Sequence, residues 1–210
     1  GYADALAFAR KRSGLIDAEI ARHPQLIRPA TTAGEAEALN RRGQLVAFKA
    51  IENSYPLGED LSLLAEFHAA GVRMAGPVHT RNNQFADSSE DTPRWGGLSP
   101  LGQRWVAEMN RLGMVIDASH ASDAAFDQML ALSKTPIILS HTSPDWAHAH
   151  PRNLDDALDP ALAAKGGAIC ASTIYLSDIK LGGKRGELFA AYERIAEMTA
   201  AEQAELARQT

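Results

Sequence analysis

The chain has 210 residues, of which 45% are hydrophobic and 22% charged, and its formal net charge at pH 7 is -5. This length suits one domain, residues 1–210, with a substantial core. The acidic balance and the lack of a basic stripe argue against a nucleic-acid partner. No apolar run is long enough to span a bilayer, and Cys170, the only cysteine, excludes a disulfide within the chain.

The chain starts at Gly1 without a recognisable signal peptide, so we expect it to begin inside a longer gene product. The composition predicts a soluble protein. It leaves the compartment, bacterial cytoplasm or periplasm, undetermined.

Helical periodicity and short apolar runs alternate along the whole chain. In chain order, the pattern predicts helix 3–22, strand 26–28, helix 32–42, strand 45–52, helix 60–71, strand 72–79, helix 100–112, strand 114–120, helix 122–133, strand 136–141, helix 155–165, strand 167–173 and helix 186–210. Strands separated by helices, with nearly continuous apolar character, are typical of a parallel sheet covered on both faces. A closed (β/α)8 barrel needs eight strands and about 250 residues, whereas five strands are clear here and the one at 26–28 is weak. We therefore predict an α/β fold, either an open sheet or part of a barrel.

The longest irregular stretch covers residues 80–98. Asn, Asp, Ser, Pro and Gly recur through it and disfavour regular structure. A loop of this length inside a compact domain is usually functional or mobile.

Three predicted strands end in a side chain that can bind a metal ion, namely Glu52, His120 and His141. The C-terminal ends of parallel strands lie at one edge, where barrel enzymes build their active sites. One carboxylate and two imidazoles suit zinc, although other divalent metals also accept these donors. The alternatives are a salt bridge of Glu52 with Arg or Lys, and hydrogen-bonded loop positions for the two histidines.

Further candidates lie at the same predicted edge. His79 ends a fourth strand and is either another ligand or a neutral donor to a substrate carbonyl. Arg152 is a candidate clamp for a carboxylate, although the pattern alone favours a surface arginine. We expect His148 and His150, in the same loop as Arg152, to be exposed to solvent, and Asp117 to be structural rather than a ligand.

Other catalytic classes find no support in the sequence. It contains no Gly-rich phosphate loop of the P-loop or dinucleotide type and no Gly-x-Ser-x-Gly elbow. Cys170 lies between apolar neighbours and is predicted to be a buried strand residue. Nucleophilic serine or cysteine catalysis is therefore not expected.

Five short motifs follow one another at a characteristic spacing. They are Ala-Ile-Glu-Asn at 50–53, Gly-Leu-Ser-Pro-Leu-Gly-Gln at 97–103, Asn-Arg-Leu-Gly-Met-Val-Ile-Asp-Ala-Ser-His at 110–120, Ile-Leu-Ser-His-Thr-Ser at 138–143 and Arg-Asn at 152–153. Together they resemble the membrane (renal-type) dipeptidases, peptidase family M19. The resemblance covers residues 45–175 and implies a distorted (β/α)8 barrel with two zinc ions that hydrolyses dipeptides. Some members of that family accept a D-residue at the C-terminal position or open β-lactam rings.

The resemblance also implies roles for the metal ligands. Glu52 matches the carboxylate that bridges the two zinc ions, and His120 and His141 match the two histidines of the second zinc. The two metals would activate a bridging water for attack on the peptide carbonyl.

Contacts with the dipeptide substrate are implied as well. His79 matches the histidine that stabilises the scissile carbonyl. Arg152 and Tyr175 match an arginine and a tyrosine that bind the free carboxylate of the substrate, which would restrict cleavage to dipeptides.

Two motifs of the family are missing from the sequence. No His-x-Asp, which completes the first metal site, occurs upstream of Glu52, and only Asp178 follows Tyr175 where the family carries an Asp-rich catalytic motif. We therefore interpret the chain as the central fragment of a dipeptidase barrel that lacks the first strand and the last strands. Two other readings stay open, a non-catalytic truncated homologue that binds at most one metal and a different, lactonase-like metal hydrolase on the same barrel. A homodimer is among the assemblies that the resemblance allows.

Overall fold

The computed structural model describes residues 1–173, 182–194 and 198–208. These residues form eight α-helices and seven strands. Their bounds are α1 Tyr2–Arg22, β1 Ile27–Pro29, α2 Ala33–Arg41, β2 Leu45–Ala47, β3 Lys49–Ile51, α3 Ser62–Ala69, β4 Val72–Ala75, α4 Pro100–Leu112, β5 Val115–Ile116, α5 Asp123–Leu132, β6 Ile138–Thr142, α6 Asp159–Ala164, β7 Ala168–Ala171, α7 Gly183–Glu193 and α8 Ala200–Arg208. Two short 3-10 helices cover Tyr55–Leu57 and Asp156–Leu158.

All ladders between the strands are parallel. β1 pairs with β2, β4 lies between β3 and β5, and β6 pairs with β7. A parallel bridge between Asp117 and Ile138 continues the order from β5 to β6. Within each ladder a strand lies beside the next one in the sequence, as expected for successive βα units, whereas the consecutive strands β2 and β3 belong to different ladders. The predicted α/β class is confirmed.

Local capping explains where the central helices begin. Ser99 precedes Pro100 at the start of α4, and its Oγ accepts a hydrogen bond of 3.0 Å from the backbone N–H of Gly102. Ser122 caps α5 in the same way through the N–H of Ala125. Each hydroxyl satisfies one of the backbone donors that a helix N-terminus leaves without an intrahelical partner.

The hydrophobic core lies between the strands and helices α3, α4 and α5. Trp105, Phe85, Phe126 and Ile116 are among its fully buried side chains. The indole N–H of Trp105 donates to Ser54 Oγ at 3.1 Å, so this large ring is buried without an unsatisfied donor.

The strands are shorter than the sequence predicts. At the ends of β3 and β5 the predicted C-terminal residues leave the ladders because polar side chains take over the backbone donors, whereas β6 continues to Thr142, one residue beyond its predicted end. Asn53 Oδ1 accepts from the N–H of Tyr55, and Asp117 Oδ1 accepts from the N–H of Ser119. Such turns compete with sheet pairing, and they place the strand-end residues in tight turns beyond the ladders.

The loop at residues 80–98 contains no regular helix or strand, as predicted. Its centre is Asp87, which is fully buried. The Asp87 carboxylate accepts hydrogen bonds from the backbone N–H groups of Arg94, Trp95 and Gly97 at 2.9–3.0 Å. This carboxylate therefore organises the loop from within.

Two predictions near the C-terminal end are wrong. Cys170 is exposed rather than buried, because in the described part of the chain β7 pairs on one side only, with β6. The helix predicted at 186–210 is instead divided into α7 and α8. α8 has its own N-terminal signal, since Thr199 Oγ1 accepts from the N–H of Glu202 while the Glu202 carboxylate accepts from the N–H of Thr199.

The chain divides into two compact units, residues 1–175 and residues 176–210. The first contains all seven described strands, and the second contains α7 and α8, which contact each other. Among the described residues, no helix combines the length and the apolar character that a membrane crossing requires.

Candidate metal centre

The C-terminal ends of four neighbouring strands bring one carboxylate and three imidazoles together. Glu52 directly follows β3, and His79 lies in the segment after β4. His120 lies in the turn after β5, and His141 belongs to β6. Because β3 to β6 run parallel, these residues meet at one edge of the sheet.

The donor atoms converge on one oxygen of Glu52. Glu52 Oε1 lies 3.1 Å from His120 Nε2, 3.3 Å from His141 Nε2 and 3.6 Å from His79 Nε2. The Nε2 atoms of His120 and His141 are 3.0 Å apart. The alternative of a salt bridge to Arg or Lys finds no support, since the ion-pair partners of Glu52 in the described part of the chain are histidines.

Glu52, His120 and His141 form a group that can hold a metal ion. One ligand atom from each of these residues lies within 4.8 Å of the others. Imidazole nitrogens and carboxylate oxygens are both ligand types that divalent metal ions accept. The donor set is the two-histidine, one-carboxylate combination found at catalytic zinc sites.

His120 is held in the neutral form that a metal ligand requires. Its side chain is only 6% exposed. Burial lowers the pKa of His120 to about 2, with smaller contributions from nearby Arg152 and from the two other histidines. A neutral imidazole keeps a lone pair for coordination, so His120 needs no deprotonation at physiological pH before it binds a metal.

His79 lies against His120 and is partly exposed to solvent. Its ring lies 3.9 Å from that of His120, centroid to centroid, and the two planes are inclined by 34°. The side chain is 40% exposed, whereas His120 is buried. His79 therefore faces the solvent side, where a substrate would arrive.

Arg152 is buried, so the surface position favoured by the pattern alone is wrong. Its side chain is 1% exposed, and its Nε lies 3.5 Å from a carboxylate oxygen of Glu90. Its charge is close enough to contribute to the lowered pKa of His120. The loop that follows β6 thus carries a guanidinium group to the edge where the metal-binding group lies.

The remaining candidates differ from expectation or lie outside the described residues. His148 and His150 are half-buried rather than exposed, and their rings stack with centroids 6.4 Å apart. Tyr175 lies outside the described residues.

Asp117 is structural, as expected. It contacts Ser140, a residue beside the candidate site that sequence reasoning missed. Its carboxylate accepts hydrogen bonds from the backbone N–H and the hydroxyl of both Ser119 and Ser140. Ser140 Oγ also lies 2.8 Å from His141 Nδ1. The signal that could have identified Ser140 is the Ser-His pair that recurs at 119–120 and 140–141.

Comparisons with known proteins identify the family of the chain. A family model described as Membrane dipeptidase (Peptidase family M19) matches residues 2–202. Dipeptidase aclJ of Aspergillus oryzae is 34% identical over 161 residues, which are 75% of this chain and 38% of that protein. Dipeptidase verJ of Clonostachys rogersoniana is 33% identical over 172 residues, which are 81% of this chain and 44% of that protein.

A solved structure shows the same relationship. The crystal structure of the probable dipeptidase PvdM from Pseudomonas aeruginosa is 33% identical, with a TM-score of 0.78. The match covers 91% of this chain and 51% of that one. The chain therefore spans about half the length of the Pseudomonas aeruginosa protein and less than half the length of the two dipeptidases named above. Because the family model covers nearly the whole sequence, the chain belongs to the membrane dipeptidase family, peptidase family M19.

Proposed function

We propose that this chain is the central part of a zinc-dependent dipeptidase and that its substrates are dipeptides. The observation that carries the proposal is the convergence of Glu52 Oε1, His120 Nε2 and His141 Nε2 at the C-terminal edge of a parallel sheet. Membership of a dipeptidase family, with relatives named as dipeptidases, supports the reaction class.

In this proposal the metal is zinc, with two ions in the complete site. Glu52 would be shared between them, and His120 and His141 would hold the second ion. A zinc ion in such a site makes water a nucleophile at neutral pH. The His-x-Asp pair of the first ion does not occur among residues 1–51, so the complete site would need donors from outside this sequence.

Two side chains would handle the substrate itself. His79, held by its stacking on His120, would donate to the carbonyl oxygen as negative charge develops there. Arg152 would bind the free carboxylate of the dipeptide through its planar fork. A fixed guanidinium at that position would select substrates whose carboxylate lies one residue beyond the scissile bond. Tyr175 would assist Arg152.

The fold proposed for the complete protein is a (β/α)8 barrel, of which this chain supplies a central portion without the first and the last strands. The parallel order of neighbouring strands and the match to half of the Pseudomonas aeruginosa structure support this view. Assembly as a homodimer stays a prediction.

A second candidate function is metal binding without catalysis. The missing His-x-Asp and the missing Asp-rich motif favour it for the 210 residues taken alone. In that case the chain binds one zinc ion through Glu52, His120 and His141 and turns over no dipeptide.

Zinc titration with a matched pair of variants tests the proposal. Glu52→Gln should abolish tight zinc binding, whereas Glu37→Gln on exposed helix α2 should leave it unchanged. Dipeptides are then compared with the same dipeptides amidated at the C-terminus, which lack the carboxylate that Arg152 would bind. Because the complete site would need donors from outside this sequence, turnover is measured on a protein that also carries the His-x-Asp and Asp-rich segments. Zinc binding without turnover in that protein would favour the second candidate, and failure of the wild-type chain to bind zinc would refute the assignment of Glu52, His120 and His141 as ligands.

A further inference from the structure

We propose that Ser140, supported by Asp117, is a positioning residue that presets His141 for metal binding. The pair would hold His141 in the tautomer that carries its proton on Nδ1, so that the lone pair of Nε2 faces Glu52 and His120 before any metal arrives. The inference rests on the proposed metal site and adds to it a residue outside the ligand set.

The contacts among Asp117, Ser140 and His141 leave one position for each proton. Ser140 Oγ lies 2.5 Å from Asp117 Oδ2 and 2.8 Å from His141 Nδ1. A carboxylate only accepts hydrogen bonds, so the single hydroxyl proton of Ser140 is directed to Asp117. The lone pairs of Ser140 Oγ are then open to a donor. Ser119 Oγ lies 3.3 Å away, but its proton is directed to Asp117 Oδ1 at 2.5 Å, so a protonated Nδ1 of His141 is the donor that fits.

The opposite tautomer conflicts with this geometry. If His141 Nδ1 carried no proton, it would compete with Asp117 for the one hydroxyl proton of Ser140. One of the two contacts would then bring lone pairs face to face at hydrogen-bond distance. The arrangement therefore favours the proton on Nδ1, which leaves Nε2 as the donor atom to a metal.

Asp117 is itself held in place. Asp117 is 6% exposed and bridges the ends of β5 and β6. Its Oδ1 accepts from the backbone N–H of Ser119 at 3.1 Å and from that of Ser140 at 3.0 Å. The hydroxyl of Ser119 also donates to Oδ1 and accepts from the backbone N–H of His141. With so many partners the carboxylate cannot turn away from Ser140, so the Ser140 hydroxyl has a fixed orientation.

The two histidines differ in the contacts of their Nδ1 atoms. In the described part of the chain, Nδ1 of His120 is buried without a hydrogen-bond partner. No serine and aspartate therefore fix the tautomer of His120, although a serine, Ser119, precedes it in the sequence just as Ser140 precedes His141. Loss of the Ser140 hydroxyl should consequently remove a hydrogen bond from His141 and none from His120, which gives the test a residue-specific readout at Nδ1 of His141.

The test measures the tautomer of His141 and the zinc affinity of the chain. Long-range ¹H–¹⁵N correlation spectra of the metal-free chain should show the Nδ1–H form of His141. In Ser140→Ala the spectrum should shift towards the Nε2–H form, whose proton can reach Glu52. Zinc affinity, from competition with a chelating dye, should fall about 10- to 100-fold in Ser140→Ala.

Two further variants separate positioning from packing. Ser140→Thr keeps the hydroxyl and should restore both the tautomer and the affinity. Ser133→Ala removes another buried serine, one that bonds Thr135 and Asn110 away from the site, and should change neither.

The outcomes distinguish this inference from the proposed function. If wild-type His141 shows the Nε2–H form, the positioning role is refuted without any variant, even if Ser140→Ala fails to fold. If Ser140→Ala keeps both the Nδ1–H form and the wild-type affinity, the positioning role is refuted while the metal site stands. If the wild-type chain binds no zinc, the proposed function fails, whatever the tautomer.

Discussion

The same substitution, glycine to alanine, should have opposite effects at two helix positions of this protein. Gly14 lies inside α1, is exposed, and has no atom within 4 Å of the place where a Cβ would stand. Gly102 lies in α4 and is buried, and its Cβ would stand 2.0 Å from the carbonyl oxygen of Phe85. Helix propensity alone would favour alanine at both positions by up to about 1 kcal/mol.

The magnitude at Gly102 follows from what the new methyl group would displace. Carbon and carbonyl oxygen approach no closer than about 3.3 Å even in favourable contacts, so the Phe85 carbonyl would have to move by about 1 Å. That carbonyl accepts from the N–H of Ser99 at 2.9 Å, and the Phe85 ring is fully buried. Loss of the hydrogen bond costs about 1–3 kcal/mol, and overpacking costs about 1–3 kcal/mol. After the gain in helix propensity, we expect Gly102→Ala to lower the free energy of unfolding by about 1–5 kcal/mol.

Urea denaturation followed by circular dichroism measures both free energies. Gly14→Ala serves as the matched control and should raise the free energy of unfolding by about 0.5–1 kcal/mol. A Gly102→Ala variant as stable as the wild type would refute the reasoning. It would mean that the backbone of the loop at residues 80–98 can move away from α4 without loss of core packing.

Three further predictions concern the loop, the substrate and the metal. Asp87→Asn replaces an acceptor oxygen by a donor among three backbone N–H groups and should destabilise the chain by about 1–3 kcal/mol; an unchanged urea midpoint would contradict the role of Asp87. Arg152→Lys keeps the charge but loses the planar fork, so in a protein that also carries the donors missing from this sequence KM for dipeptides should rise at least about tenfold with a smaller change in kcat. The exposed variant Arg111→Lys is its control, and equal KM values in the two variants would argue against the clamp. Zinc at about 100 times its Kd should raise the free energy of unfolding by about 2.7 kcal/mol; EDTA should reverse this gain, and a melting temperature indifferent to zinc would contradict specific binding to the folded chain.

Individual residues show how far sequence reasoning reached in the fold. The α/β alternation and the parallel sheet followed from apolar periodicity, which is a property of consecutive residues. The strand ends were overextended because Asn53 and Asp117 divert backbone donors into turns, an effect that hydrophobicity does not record. The exposure of Cys170 depends on which elements flank β7, and its apolar neighbours in the sequence do not report this.

The candidate site divides in the same way. Glu52, His79, His120 and His141 were identifiable because each follows or ends an apolar run, and the motifs around them resemble one family. The burial of Arg152 was not identifiable, since the loop that carries it has no periodic pattern. Nor was the contact of Ser140 with His141, because adjacent strand residues normally point to opposite faces of a sheet.

The sequence by itself determined the order and type of most elements, the chemical identity of the candidate metal donors and the family. It could do so because these properties depend on residues that are close together in the chain. Only the tertiary structure decided that the donors converge, since His120 is 68 positions from Glu52 and 21 from His141. It also decided that Ser140 lies between the carboxylate of Asp117 and Nδ1 of His141. Distances across a sheet are set by strand pairing and burial, so they follow from the packing of the whole sheet and not from any local segment.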